Sequence, residues 1–240
     1  MQTLTQNAPF ARMRPACPTA QALGIRPAAS RPAPEAPASH AFFGSPELVG
    51  SPLSFRRDAE IYGENEPADY VYKILSGTVR VYKILQDGRR QIEGFYFPGD
   101  IFGVAFDEEH ASSAEAVTNT NVVVIKRAAL LAASARDRNV ARDLWLHTGR
   151  ELDHARRHAM LLVKTAQERV ASFLVAISER GKGDAIDLPM SRQDIADYLG
   201  LTIETVSRTL TQFQTSCAIE LPSSRHMILR NRAALVRLNA

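Results

Sequence analysis

Hydrophobic positions between residues 53 and 125 fall in short runs: DYVYKIL, TVRVYKIL, QIEGFYF and NVVVI, all rich in Val, Ile and Tyr. Runs of this length and composition predict β-strands. Ser76-Gly77, Asp87-Gly88, Pro98-Gly99-Asp100 and Gly103 separate them. Asp87-Gly88 predicts a two-residue hairpin loop whose two central positions both take positive φ. Many short strands with regular turn signals predict an antiparallel roll over residues 51–135. Phe95, Tyr96, Phe97, Phe102 and Phe106 are expected to pack its core, and His110 to sit on its surface.

The spacing changes after Lys126. Leu144, Thr148, Leu152, Ala155, Ala159 and Leu162 recur at steps of four and three, which is the spacing of a coiled-coil seam. The expectation is a dimerisation helix over 136–163, with small residues that let two backbones approach; the alternative is an amphipathic helix packed on its own domain. Thr165 and Glu168 form a capping-box pattern, so a new helix is expected there and a hinge at Leu162–Thr165. Val170, Phe173, Leu174 and Ile177 give that helix its apolar face, and Gly181 and Gly183 end it.

Residues 191–210, SRQDIADYLGLTIETVSRTL, predict two short helices. Ser191 caps the first, Gly200 makes the turn and Thr202 caps the second. Ile195, Ala196 and Leu199 face inward, as do Val206, Leu210 and Phe213. The outer side of the second helix presents Ile203, Glu204, Ser207 and Arg208, which suit base edges: Arg pairs with guanine, Glu accepts from cytosine, and Ile meets a thymine methyl. Ser191, Arg192, Thr202 and Thr205 are expected at phosphates. The segments AIEL, PSSRH and MILR that follow predict a hairpin, the wing of a winged helix-turn-helix over 164–240.

Charge supports that division. Residues 51–125 hold 7 Lys/Arg against 12 Asp/Glu, and residues 126–163 hold 8 against 4. The last twenty residues carry Arg225, Arg230, Arg232 and Arg237 and no acid. An acidic front and a basic back fit a sensor joined to a polyanion binder. Residues 1–50, where 8 of the 13 prolines precede Glu47, are expected to be a flexible tail. Two cysteines, Cys17 and Cys217, cannot make a disulfide framework, and no apolar run reaches membrane-spanning length. A cytoplasmic protein without membrane association is expected. A cupin-like enzyme needs a cluster of His and Glu in the roll, which has one His, so no catalysis is expected.

Residues 53–235 resemble the Crp/Fnr superfamily of transcription regulators, in the order roll, dimer helix, winged helix-turn-helix. The stretch SRQDIADYLGLTIETVSR is most similar to its Fnr and FixK branch, in which an apolar residue and Glu precede Ser-Arg, here Ile203, Glu204, Ser207 and Arg208. The resemblance implies an α+β fold and a homodimer on palindromic double-stranded DNA of the TTGA…TCAA kind. It also implies activation through contact with RNA polymerase, at genes of microoxic respiration, denitrification or nitrogen fixation. The chain departs from other branches. Where cyclic-nucleotide members carry a Glu and an Arg, it reads Phe102-Gly103-Val104-Ala105 and His110-Ala111-Ser112-Ser113-Ala114, so no cyclic nucleotide is expected. Its two cysteines cannot complete an iron–sulfur site, so no cofactor is expected. Cys217, just past the second helix, is a candidate redox position. His147, Glu151, His154 and His158 form a stripe expected to be solvated surface rather than a metal site.

Overall fold

The computed structural model describes residues 41–43, 45–181 and 183–239. The expectations for residues 1–40, Cys17 among them, lie outside these described residues.

Two four-stranded antiparallel sheets form the roll. One has the order β3 (Ser51–Phe55), β10 (Thr120–Lys126), β5 (Tyr70–Ser76), β8 (Ile101–Phe102). The other runs β4 (Glu60–Tyr62), β9 (Ser113–Ala116), β6 (Val79–Ile84), β7 (Arg90–Tyr96). Side chains alternate across a strand, so each sheet has two faces to fill. Tyr72, Ile74, Phe102 and Val122 from the first sheet meet Tyr62, Val79, Val81 and Ala114 from the second, inside the roll. On the outer face of the first sheet Val71, Val123 and Ile125 pack against Phe42, Leu48, Leu130 and Val140. Phe42 and Leu48 belong to a hairpin of β1 (Ala41–Phe42) and β2 (Ser45–Val49). Among the described residues the roll's core therefore extends N-terminal to residue 51, because these two side chains complete it beneath that sheet. On the far side, Ile92, Phe95 and Val117 enter a core shared with the C-terminal domain.

The β6–β7 connection differs from the expected two-residue loop. Pairing ends at Ile84 and Arg90, Gly88 N–H donates to Leu85 at 2.9 Å, and Leu85 N–H to Arg89 at 2.8 Å. Of Asp87 and Gly88 only Gly88 is left-handed, with φ 81°. Asp87 instead uses its carboxylate to accept from Arg89 N–H and Nε.

The ring residues also divide. Phe102 lies inside the roll with Tyr96 against it, while Phe95 and Phe97 face the C-terminal domain. Phe106 is 81% exposed, on a loop whose Phe106 and Asp107 carbonyls accept from Arg127. His110 is buried, contrary to expectation, with its ring stacked on Tyr62 at 3.6 Å. Tyr72 leans on Tyr62 at a tilt, and Phe102 stacks against both; burial pushes the Tyr62 phenol far above its usual range.

Helix α1 (Arg127–Arg136) leads into α2 (Arg138–Leu161), whose 24 residues span about 36 Å. The break expected at Leu162–Thr165 is present. Thr165 Oγ1 accepts from Glu168 N–H and Glu168 Oε2 from Thr165 N–H, opening α3 (Ala166–Gly181). No helix among the described residues is long and apolar enough to cross a membrane.

Burial lowers the pKa of His110, against a smaller opposing pull from Glu66 and with a still smaller lowering by Arg127. Folding thus favours the neutral ring, and the unfolded chain takes up the extra proton. Stability is expected to be full above the ordinary imidazole pKa of about 6.5 and to fall as pH drops below it, by up to about 1.4 kcal/mol per unit. His110→Phe keeps a ring on Tyr62 and removes the proton. Melting curves between pH 7.5 and 5.5 should show a shallower decline for that variant than for the unsubstituted chain.

Candidate nucleic-acid interface

Ser191 has extended dihedrals and opens α4 (Arg192–Leu199) with a complete capping box. Its hydroxyl accepts from Asp194 N–H at 3.0 Å, and Asp194 Oδ2 accepts from Ser191 N–H at 2.9 Å. The helix ends at Gly200, left-handed with φ 61°, where an L side chain would be strained. The N–H groups of Gly200 and Leu201 both return to Ala196, which closes the turn tightly. Thr202 then caps α5 (Ile203–Thr215) by accepting from Thr205 N–H at 3.2 Å. Ile195, Ala196 and Leu199 of α4 and Val206, Leu210 and Phe213 of α5 share one core with Val170, Phe173 and Leu174 of α3.

A three-stranded sheet completes the domain, with order β11 (Ala185–Asp187), β13 (His226–Leu229), β12 (Ile219–Glu220). The β12–β13 turn carries exposed Arg225, and helix α6 (Arg232–Asn239) packs on α3. Part of the basic tail is already engaged: Arg230 pairs with Glu220, and Arg232 with Glu179.

The four expected base readers come together on α5. Ile203 is 37% exposed, Glu204 and Arg208 are exposed, and Ser207 is half-buried between them. Hydrogen bonds from its own backbone amide and then from the Thr202 hydroxyl hold the Glu204 carboxyl below the usual range, with Arg208 adding a smaller pull. In this state Glu204 folds back over the helix N-terminus, where a carboxylate is favoured. Of the residues expected at phosphates, Ser191 and Thr202 spend their hydroxyls on caps, and half-buried Thr205 meets the Thr202 hydroxyl at 3.1 Å. Arg192 reaches across to α5, its Nη1 at 3.4 Å from Ser207 Oγ. Cys217, half-buried and left-handed with φ 56°, follows the helix end and donates its N–H to Gln214.

On α2 the expected seam divides between the two sides of the helix. Leu144 faces its own domain in the core with Val140. Thr148 is half-buried and donates its hydroxyl to Leu144 O. Leu152, Ala155, Ala159 and Leu162 are exposed, and Trp145 and Val163, each 77% exposed, extend their stripe. The His147, Glu151, His154 and His158 stripe is half-buried against its own chain rather than freely solvated. Glu151 accepts from Tyr96 Oη at 2.8 Å, His147 packs edge-on to Phe43, and His158 stacks on Tyr198 with Nε2 at 2.7 Å from its carbonyl. Burial lowers the pKa of His147 and His154. Among the described residues no group of three His, Cys, Asp or Glu could hold a metal ion.

Arg169, in the first turn of α3, was not singled out by any motif. Its guanidinium donates to the carbonyls of Leu162 and Lys164 at the hinge and of Leu199 and Gly200 at the turn of the helix pair. One side chain thus ties the end of α2 to the helix-turn-helix. An arginine after a capping box gives no local hint of this, because its four acceptors lie in other elements.

Two families match the chain in this same order: "Cyclic nucleotide-binding domain" over residues 52–137 and "Crp-like helix-turn-helix domain" over 168–238. The chain is 49% identical over 199 residues to "Nitrogen fixation regulation protein FixK" of Azorhizobium caulinodans, covering 80% of each chain. Its identity to the protein of the same name from Rhizobium meliloti is 38% over 192 residues, covering 79% of this chain and 86% of that one. The solved structure of FixK2 from Bradyrhizobium japonicum superposes with a TM-score of 0.78 at 50% identity, over 80% of this chain and 98% of that one.

Removing the cap and removing a reader should have separate effects. Ser191→Ala is expected to lower folding stability by about 1 kcal/mol. Arg208→Ala should leave it within about 0.5 kcal/mol, as for exposed positions generally. Denaturant unfolding of both variants checks the pair.

Proposed function

The chain belongs to the FixK branch of the Crp/Fnr family of DNA-binding transcription regulators, and from that premise we propose that it acts as a homodimeric activator on a palindromic site. The observation that carries this reading is the constellation of exposed Ile203, Glu204 and Arg208 with half-buried Ser207 among them, on a capped helix. Its outward groups match the donor and acceptor code of the major groove. In this reading those four specify sequence of the TTGA…TCAA kind, and Ser191, Arg192, Thr202 and Thr205 position the protein on phosphates. Ser191 and Thr202 then act through the backbone N–H groups of the helix starts, since their hydroxyls are taken by caps.

The partner copy covers the exposed stripe of Leu152, Ala155, Ala159 and Leu162, with Trp145 and Val163 beside it. Large exposed apolar side chains in line on one helix favour a second copy over solvent. Activation proceeds through contact with RNA polymerase, and the targets are genes of nitrogen fixation, as the relatives' name suggests, with those of microoxic respiration and denitrification implied by the resemblance.

The roll's residues do not fit a cyclic nucleotide. Inside it the rings of Tyr62, Tyr72 and Phe102 pack together, with His110 stacked on Tyr62. The loop after β8 presents Asp107, Glu108 and Glu109, while Arg127 spends its guanidinium on that loop's carbonyls. Carboxylates beside a phosphate would oppose its burial. We therefore read the regulator as independent of a cyclic nucleotide.

Arg208→Ala is expected to lower affinity for the preferred site by about 1–3 kcal/mol and to relax preference at one base of each half-site. Selection of bound duplexes from a random pool reads both; unchanged discrimination would refute the assignment. Leu152→Glu should give monomers by sedimentation that no longer hold two half-sites about 34 Å apart. Dimers carrying this change would place the interface elsewhere.

A further inference from the structure

Between the roll and the helix pair lies a buried cluster of charges. Arg80 of β6 donates Nη1 to Asp194 Oδ1 at 3.0 Å and Nη2 to Glu115 Oε1 at 2.7 Å. Arg90 of β7 donates Nη2 to the same Asp194 oxygen at 2.6 Å and Nε to Asp197 Oδ2 at 2.8 Å. The side chains of Arg80 and Asp194 are 10% and 4% exposed. Arg80 Nε is buried without a hydrogen-bond partner. Two guanidinium groups from one hairpin thus converge on the first helix of the DNA-binding pair.

Such a cluster is an inefficient source of stability, because desolvating the ions offsets most of their attraction. Adhesion is already supplied by apolar contact: Phe95 packs against Phe173 and Tyr198, within a core that also holds Ile92 and Val117. Apolar burial is non-directional, however, and tolerates sliding. A guanidinium on a carboxylate fixes distance and plane together. The same Asp194 also serves the cap through its other oxygen, which accepts from Ser191 N–H and Oγ. The next residue, Arg192, reaches Ser207 on the reading helix. Polar contacts, joined by the Ser191–Arg192 peptide bond, therefore run from the roll to the reading face.

We propose that Arg80 and Arg90 are positioning residues for DNA reading: they lock the helix pair in one orientation on the roll and so set the angle at which each reading helix is presented to the duplex. Neither needs to touch DNA. The test with two half-sites rests on the dimer reading above, so a second measurement is chosen that does not.

The full chain is compared with its Arg90→Met and Arg80→Met variants. Each is titrated with a palindromic duplex and with a duplex holding one half-site. The expected result is a tenfold or greater loss on the palindrome with less than a twofold loss on the single half-site. Equal loss on both, or none on either, overturns the proposal. Amide hydrogen exchange is then followed in free protein. Residues 90–96 and 192–199 should exchange several-fold faster in the variants, with α5 unchanged; unchanged exchange there also overturns it. If the unsubstituted chain gains nothing from a second half-site, the dimer reading fails and exchange alone decides the role of the arginines. Should Arg80→Met lose its cooperative melt, Arg90→Met, which leaves Arg80 on Asp194, carries both measurements.

Discussion

A carboxylate at the centre of a protein has to find a donor for each oxygen, and Asp194 finds them in two domains. Oδ2 closes the capping box of the first DNA-binding helix, and Oδ1 receives Arg80 and Arg90 from the roll. Leaving either oxygen bare in so buried a place would cost several kcal/mol. The start of α4 and the docking of the head are therefore satisfied together. Other contacts reinforce that single arrangement. Arg180 of α3 forks onto Asp100 at the β7–β8 turn and lies over the Phe97 ring. Arg169 gathers the carbonyls at the hinge. Roll and head share an apolar core, and the ionic contacts give that core its register.

Helix α2 connects this assembly to a second copy in the proposed dimer, through two faces that differ in chemistry. Towards its own chain it presents Val140, Leu144, His147, Glu151, His154, His158 and Leu161, at helical spacing. These touch the N-terminal hairpin, the roll and α4 in turn: His147 by Phe43, Glu151 on Tyr96, His158 on Tyr198. About 120° around the helix run Trp145, Leu152, Ala159 and Val163, exposed. A partner covering the second face would bear directly on the first, since a rigid helix has only one rotation that satisfies both.

Local chemistry was legible in the sequence. Ser191, Gly200, Thr202 and the Thr165–Glu168 pair act on backbone groups within a few residues, so their motifs hold wherever the helix sits, and all four appear as expected. Strand runs and the order of units were equally plain, because hydrophobic period decides them. What failed depended on distance or on phase. Arg80 and Asp194 are 114 residues apart, and no spacing rule joins them. At the upper end of the expected seam, burial separates neighbours: steps of four and three mark a stripe, yet a difference of one residue turns 100° on a helix. Leu144 went inward and Trp145 outward. His110 and the His147–His158 stripe read as surface because histidine usually is; His110, His147, Glu151 and His158 instead each meet an aromatic or carbonyl partner in another element.

The ring cluster inside the roll bears on how such a regulator would be controlled. A ligand can shift an equilibrium only by binding one state better than another. Here a small molecule entering the roll would first have to displace the Tyr62–His110 stack and the rings continuous with it, losing their burial. It would then have to move a head already held by both apolar and ionic contacts. Each step opposes the ligand, and no cation in the loop after β8 is left over to reward an anionic one. On the proposed reading the input is the amount of protein itself or a chemical change such as one at Cys217. A dimer that assembles on an exposed apolar stripe and reads two half-sites responds to concentration by mass action, twice over, at assembly and at the site.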